Sequence, residues 1–344
     1  MDTKDNTAND MNKWLSLSET DRVRVLSQIS VQKRLSSQSI EKDWWVTMVL
    51  KALFSTPFAE HLSFKGGTSL SKCWNLIERF SEDIDIAINR EYFGFGGELS
   101  KKQIGNKLRR ASCTFTREIL TAELKKQLLE FGIDESLFTI KVNITSITTT
   151  DPEIIEVHYK SIFDNADYIQ NRVLIEVSGR SMKEPTEKVN INSIISQSYQ
   201  TAEFADADFE INVVSPKRTF LEKAFLLHEE FYKPTSEIRI DRMSRHIYDL
   251  EKLMDTQIAE EALADTELYN SIIEHRQKLI GLKDFDYSTL KPETLSFVPP
   301  TDILKEWEAD YKRMQESMIY GDSLPFEKLM ERIEILNKRF SSLF

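Results

Sequence analysis

The sequence predicts an α+β fold, with a mixed β-sheet lobe at the N-terminus and a helical lobe at the C-terminus. Three observations predict it. Leu62-Ser-Phe-Lys has the form of a short strand that turns through Gly66-Gly67 into a helical segment, and Asp83-Ile-Asp-Ile-Ala-Ile then alternates strictly, as a half-buried strand does. Further alternating runs at Phe138 to Ile147, Ile154 to Tyr159 and Arg172 to Val177 have the pattern of antiparallel strands. After about Ser215 the apolar residues recur at helical spacing to the end of the chain. The 344 residues correspond to two domains at roughly 100 to 200 residues each, with boundaries expected at 1–210 and 211–344.

In chain order, the polar lead-in MDTKDNTANDMNKW is followed by a helix that Ser18 caps with Asp21 three residues on. A second helix opens near Ser39, with Trp45, Val49 and Leu53 on one face, and Pro57 ends it. Beyond Gly66-Gly67, Thr68 is the expected N-cap of a helix carrying Leu70, Trp74 and Ile77. On the acidic strand Ile84, Ile86 and Ile88 share one face, and Asp83, Asp85 and Ala87 the other. A glycine loop at Gly94-Phe-Gly-Gly leads to a long charged helix from about Leu99 to Phe131, and Thr148-Thr-Thr-Asp-Pro is a turn between strands. Pro216 starts the helix RTFLEKAFLLHEEF, and SFVPPTD is a late linker.

With 40% hydrophobic and 29% charged residues, the composition is that of a globular protein with ample core. A net charge of −11 excludes a surface that is basic all over, so a nucleic-acid partner would have to meet a local patch. Lys101, Lys102, Lys107, Arg109 and Arg110 form one, although most charge runs are solvated faces. Cys73 and Cys113 are too few for a disulfide scaffold and suit a reducing cytoplasm. The N-terminus lacks the pattern of a secretory signal. The most apolar stretch, WWVTMVLKALF, is broken by Lys51 well short of the ~20 residues a membrane span needs, so no membrane segment is expected.

The chemistry concentrates between Gly66 and Asp85. Carboxylates at i and i+2 of one strand lie about 7 Å apart on the same face. Asp83 and Asp85 would repel one another unless a cation sits between them, and Mg²⁺ prefers such oxygens with substrate phosphates as its remaining ligands. A solvated strand face is the plain alternative. Gly66 and Gly67 let backbone approach a ligand closely, a helix N-terminus just after them suits phosphate, and the Thr68 and Ser69 hydroxyls would add donors. Lys72, one turn in, would reach phosphate or be solvated. His228-Glu-Glu lacks the second histidine of a zinc helix and is expected on a helix surface.

The string KGGTSLSKCWNLIERFSEDIDI resembles the signature of the AbiEii/AbiGii-type toxin family, nucleotidyltransferases of abortive-infection and toxin–antitoxin systems. The resemblance extends to Glu41-Lys42-Asp43, to the helix start from Pro216 to Lys223, and to Arg245-His-Ile-Tyr-Asp249-Leu250, so it covers about Ser39 to Met254. It implies a nucleotidyltransferase-fold lobe and a helical lobe acting on an NTP with Mg²⁺. By position, Asp83 and Asp85 would hold the metal and Gly67, Thr68 and Ser69 would touch the triphosphate. Lys223 corresponds to a downstream phosphate-pairing lysine and Asp249 to a late acidic residue, with Arg245 beside them. His246 departs from the acid or lysine the family often shows there. Glu176, opposite the face of Val173, Ile175 and Val177, is the candidate third carboxylate, as general base or metal ligand. Without the resemblance, Lys223 would be a helix-flank lysine, and Arg245 with Asp249 an i,i+4 ion pair.

The expected activity is transfer of a nucleoside monophosphate from an NTP to an acceptor hydroxyl, with Mg²⁺ and release of pyrophosphate. The resemblance implies RNA, a tRNA end, as acceptor and a cognate antitoxin as partner. A transferase acting on a protein or small molecule, or an NTP-binding module without turnover, are the alternatives.

Overall fold

The computed structural model describes residues 13–100, 102–143, 153–163, 170–181 and 185–343. The expected lead-in up to residue 12, the turn at Thr148, the end of the strand at residues 144–147 and Lys101 lie outside the described residues. The chain forms two compact units. One comprises the described residues up to Cys73 with Ser81–Val213, and the other comprises Trp74–Phe80 with the described residues from Val214 onward.

In the first unit, α1 (Glu19–Lys33) starts as its sequence predicts: the Ser18 hydroxyl accepts from the Asp21 N–H at 3.1 Å and donates to the Asp21 carboxylate at 2.6 Å. α2 (Ser37–Phe54) is capped by Ser36 and stops before Pro57. Every residue from Gln38 to Leu53 is buried, so α2 is a central helix rather than one with a single apolar face. Its charged side chains are therefore inside the protein, where each needs a partner.

β1 (Leu62–Lys65), α3 (Gly66–Lys72) and β2 (Asp83–Asn89) follow. The long helical run is real but irregular: α4 (Arg109–Thr114) and α5 (Thr121–Glu130) alternate with the π-helical turns Gln103–Leu108 and Phe115–Leu120. Then come β3 (Phe138–Asn143), β4 (Glu153–Tyr159), β5 (Arg172–Ser181), β6 (Thr186–Ile191), α6 (Ile194–Ser198) and β7 (Phe209–Val214). The strands form one mixed sheet in the order β3-β4-β5-β2-β1-β7-β6. β2 is antiparallel to β1 and parallel to β5, β1 is parallel to β7, and β3, β4 and β5 pair antiparallel as expected.

The register sets one apolar face, on which Phe64 lies opposite Ile86, Ile84 opposite Ile175, and Ile155 opposite Ile175 on the other side. Ile84, Ile86 and Ile88 are fully buried, and burial of each such side chain is worth about 1.5–3 kcal/mol. Slipping β2 by one residue would send these three outward and both aspartates into the core, so the hydrophobic pattern fixes where Asp83 and Asp85 stand.

The second unit holds α7 (Pro216–Phe231), α8 (Ser244–Leu253), α9 (Gln257–Ala264), α10 (Thr266–His275), α11 (Leu304–Ser317) and α12 (Phe326–Ser341). Pro216 occupies the first turn of α7, where a missing N–H costs nothing. Phe220, Phe225, Ile247, Leu250, Trp307 and Phe340 are among its fully buried residues. The strap Trp74–Phe80 is seated here: the Phe80 N–H donates to the Met318 carbonyl at 2.7 Å, and the Glu78 carbonyl accepts from Tyr320 and Gly321.

His228, Glu229 and Glu230, expected on a helix surface, are all buried. His228 bonds to Ser296 and Thr289, Glu229 pairs with Arg276, and Glu230 pairs with Arg239. Partners from distant segments offset the desolvation of these groups, and helical periodicity cannot foresee such partners.

Candidate active site

The β1–α3–β2 segment brings the turn and the acidic strand together. Lys65, the last residue of β1, lies opposite Asp85 on β2, and Gly66 follows at once with φ of 82°. A Cβ on Gly66 would stand 1.9 Å from the Asp85 Oδ2 atom. Glycine here therefore does two jobs: it adopts the left-handed backbone, and it leaves the space the Asp85 carboxylate occupies. On the other side Asp85 pairs with Glu176 of β5, and Asp83 pairs with Leu174. Sheet parity thus sets Asp83, Asp85 and Glu176 on one face, with Asp85 and Glu176 side by side. All three are half-buried.

α3 differs from expectation in two ways. It begins at Gly66, with Lys65 as the N-cap residue and no side-chain cap, so Thr68 lies inside the first turn. It also ends at Lys72, and Asn75 beyond it takes the left-handed conformation, which places Trp74 and Ile77 outside the helix. Thr68 and Ser69 are buried and already engaged. The Thr68 hydroxyl donates to the Asp83 carbonyl at 2.5 Å and bonds the Ser81 hydroxyl at 2.8 Å, while Ser69 donates to the Gly66 carbonyl at 2.8 Å. Lys72 is likewise committed, to Asp43 at 2.7 Å.

Asp43 belongs to a triplet on α2 whose role only the structure discloses. Glu41 accepts from the Ser161 hydroxyl and the Ile162 N–H, and burial pushes its carboxyl up despite those bonds. Lys42 pairs with Glu82 at 2.6 Å and donates to the Gln170 carbonyl at 2.9 Å. Asp43 holds Lys72 and also accepts from the Ile194 N–H at 2.7 Å. Three successive charges on one helix thus tie down Ser161 and Ile162, Glu82, Gln170, Lys72 and Ile194.

Lys223, Asp249 and Arg245 lie in the helical unit. Asp249 has no exposed surface; Arg79 from the strap grips it with two bonds of 2.7 and 2.8 Å, and Lys223 approaches at 2.8 Å. Burial pushes the Asp249 carboxyl up, but the Arg79 and Lys223 charges outweigh it and hold it below the ordinary range. Burial pulls the Lys223 ammonium down, against the opposing effect of Asp249. His246, also buried, is held well below the usual histidine range by desolvation and by the charges of Lys223, Arg245, Arg79 and Arg239. Its Nδ1 has no hydrogen-bond partner among the described residues. Two partners of Asp249 come from positions 79 and 223, beyond the reach of an i,i+4 reading.

Lys102, Lys107 and Arg110 are exposed and Arg109 is half-buried. Among the described residues, no set of three or more His, Cys, Asp or Glu side chains is gathered as a metal shell. A hard divalent ion bound by two carboxylates and completed by substrate phosphates and water needs no such set. The carboxylate donors of β2 and the room that Gly66 leaves for one of them suit that arrangement.

Residues 49–332 match the family described as Nucleotidyl transferase AbiEii toxin, Type IV TA system. No curated protein matches the sequence. Among solved structures, the nucleotidyltransferase toxin MenT4 of Mycobacterium tuberculosis is similar with a TM-score of 0.51 and 14% identity, over 96% of this chain and 91% of its own. JHP933 of Helicobacter pylori is similar with a TM-score of 0.41 and 13% identity, over 89% and 93%. At 14% identity the likeness to MenT4 is one of fold.

Proposed function

The chain belongs to the AbiEii family of nucleotidyl transferase toxins of Type IV toxin–antitoxin systems, and on that footing we propose that it transfers a nucleoside monophosphate from an NTP to a hydroxyl at a tRNA end. Family membership makes it a nucleotidyltransferase and implies an NTP substrate and a cognate antitoxin. Among the described residues no helix is long and apolar enough to cross a membrane.

The observation that carries the siting is the fit of the Asp85 carboxylate into the space at Gly66, beside Glu176 and two residues from Asp83. Asp83 and Asp85 would hold Mg²⁺, which when bound would supply Lewis-acid polarisation of the donor phosphates. In the reaction the acceptor oxygen bonds to the α-phosphorus, the bond to the bridging oxygen breaks, and pyrophosphate leaves. Glu176, next to Asp85 across the ladder, takes the hydroxyl proton as general base. The Gly66-Gly67 backbone receives the triphosphate, with Thr68 and Ser69 holding that turn through their own bonds and Lys72 tying the end of α3 to Asp43. In the helical unit Asp249 holds Lys223, the lysine that the resemblance, with Arg245, assigns to phosphate.

Incubation with each α-labelled NTP and Mg²⁺, with and without total tRNA, tests the reading. Label on RNA is the expected outcome. Label on protein or a small solute would move the acceptor to another class, and no label in any fraction would reduce the protein to an NTP-binding module. Full transfer by the Asp83→Asn, Asp85→Asn variant would remove the metal assignment.

A further inference from the structure

We propose that Lys42 is a positioning residue for Asp83: by gripping Glu82 it sets the backbone from which Asp83 presents its carboxylate. The proposal rests on the reading of Asp83 and Asp85 as a metal-binding pair.

The two aspartates are held differently. Asp85 lies inside the ladder, opposite Lys65 on one side and Glu176 on the other. Asp83 is the first residue of β2, where the chain has just returned from the strap in the other unit. The end of a strand frays unless something other than the ladder restrains it. Here side chains from two helices supply the restraint. Thr68 on α3 bonds the Ser81 hydroxyl and the Asp83 carbonyl, and Lys42 on α2 pairs with Glu82 at 2.6 Å. Each of the residues from Ser81 to Asp83 is therefore tied.

Stability alone does not account for a charged pair at this place. The Lys42 and Glu82 side chains are only 3% and 12% exposed. An ion pair so buried is generally no more stabilising than two apolar groups of similar volume. What it adds is direction. The Lys42 ammonium is fixed between the Glu82 carboxylate and the Gln170 carbonyl, so residue 82 is held in one orientation, whereas an apolar pair would hold it only in proximity. Supporting side chains behind metal ligands matter in this way, and their loss typically weakens metal binding about 10- to 100-fold.

The test is direct Mn²⁺ binding, followed by the electron paramagnetic resonance of the free ion, with thermal unfolding in parallel. Lys42→Met together with Glu82→Leu removes both charges at once, which avoids leaving one buried and unpaired. This double variant is expected to unfold near the parent temperature yet bind Mn²⁺ about tenfold or more weakly. Glu82→Gln keeps an acceptor for the ammonium and is expected to bind Mn²⁺ nearly as the parent does. Parent-like affinity in the folded double variant would overturn the proposal and leave the metal site standing. If Asp83→Asn, Asp85→Asn bound Mn²⁺ as the parent does, the metal reading would itself fail and take the proposal with it.

Discussion

The charged cluster around β2 and the one around Asp249 bury charge in different ways. Around β2 buried charges form the pairs Lys42 with Glu82 and Lys72 with Asp43, and these pairs hold backbone while other residues, Asp83 and Asp85, are assigned to the chemistry. In the helical unit two cations, Arg79 and Lys223, share the single carboxylate of Asp249, and the residues assigned to the chemistry are themselves members of the buried network. On the proposed assignments, scaffold and chemistry are separable in the first cluster and fused in the second. Substitution of the assigned residues should therefore cost activity alone in one and both activity and stability in the other.

The sharpest way to break that contrast is a pair of variants measured side by side. Asp83→Asn with Asp85→Asn should lower nucleotide transfer by at least about 10³-fold. Because both side chains are half-buried, the unfolding temperature should move by no more than about 3 °C. Asp249→Ala should destabilise by about 3–5 kcal/mol, since it leaves two buried cations without their counterion. That corresponds to a fall of roughly 10 °C in unfolding temperature, read by calorimetry, with transfer lost in addition. Equal stability losses in the two variants would dissolve the distinction.

A smaller effect sharpens the first half of the comparison. Gly66→Ala places a methyl where the Asp85 carboxylate lies and puts a side chain in the left-handed region. The carboxylate must swing aside, and a displacement on the order of 1 Å at a reacting centre costs about 10²-fold in rate. The backbone strain adds only about 1–2 kcal/mol. Transfer should thus fall far more than stability, as measured by single-turnover kinetics against denaturant unfolding.

What the sequence discloses follows the range of the interaction. Ladder alternation is local, so β1 and the start of β2 are found where Leu62-Ser-Phe-Lys and the Asp83 run place them, and the three runs from Phe138, Ile154 and Arg172 are strands. β6 and β7 escape notice because Thr186–Ile191 is mostly exposed and polar, and Phe209–Val214 is a short run that alternates only in part. The acidic strand and glycine turn are legible because they lie close in sequence and pair with each other, Lys65 opposite Asp85. The roles of Glu41, Lys42 and Asp43 are not, because their partners lie 29 to 151 positions away, and neither is the anchor of Asp249, 170 positions from Arg79. Pairing at that range leaves no period in the chain, only charged residues in places where a charge has no local reason to be.

His246 offers the finest test of the helical unit. Its imidazole is buried among Lys223, Arg245, Arg79 and Arg239, and desolvation together with those charges holds it well below its ordinary value of 6.5. Above pH 6.5 the ring is neutral in both folded and unfolded chains and contributes no pH dependence. Below 6.5 the unfolded chain takes up a proton that the folded chain refuses, so stability falls as pH falls, by up to about 1.4 kcal/mol per unit, until the folded value is reached. His228 behaves in the same direction, whereas Asp206, raised to about 6 by burial, opposes them between its folded value and the ordinary carboxylate range. The raw stability curve therefore mixes several groups. The difference between the parent and His246→Gln does not, because the other groups cancel in the subtraction. That difference should be flat from pH 8 to 7 and then shift in favour of the variant as pH drops from about 6.5 to 5. Parallel curves across this range would mean that the imidazole accepts a proton in the folded protein, and the cationic surroundings assigned to it would then be wrong.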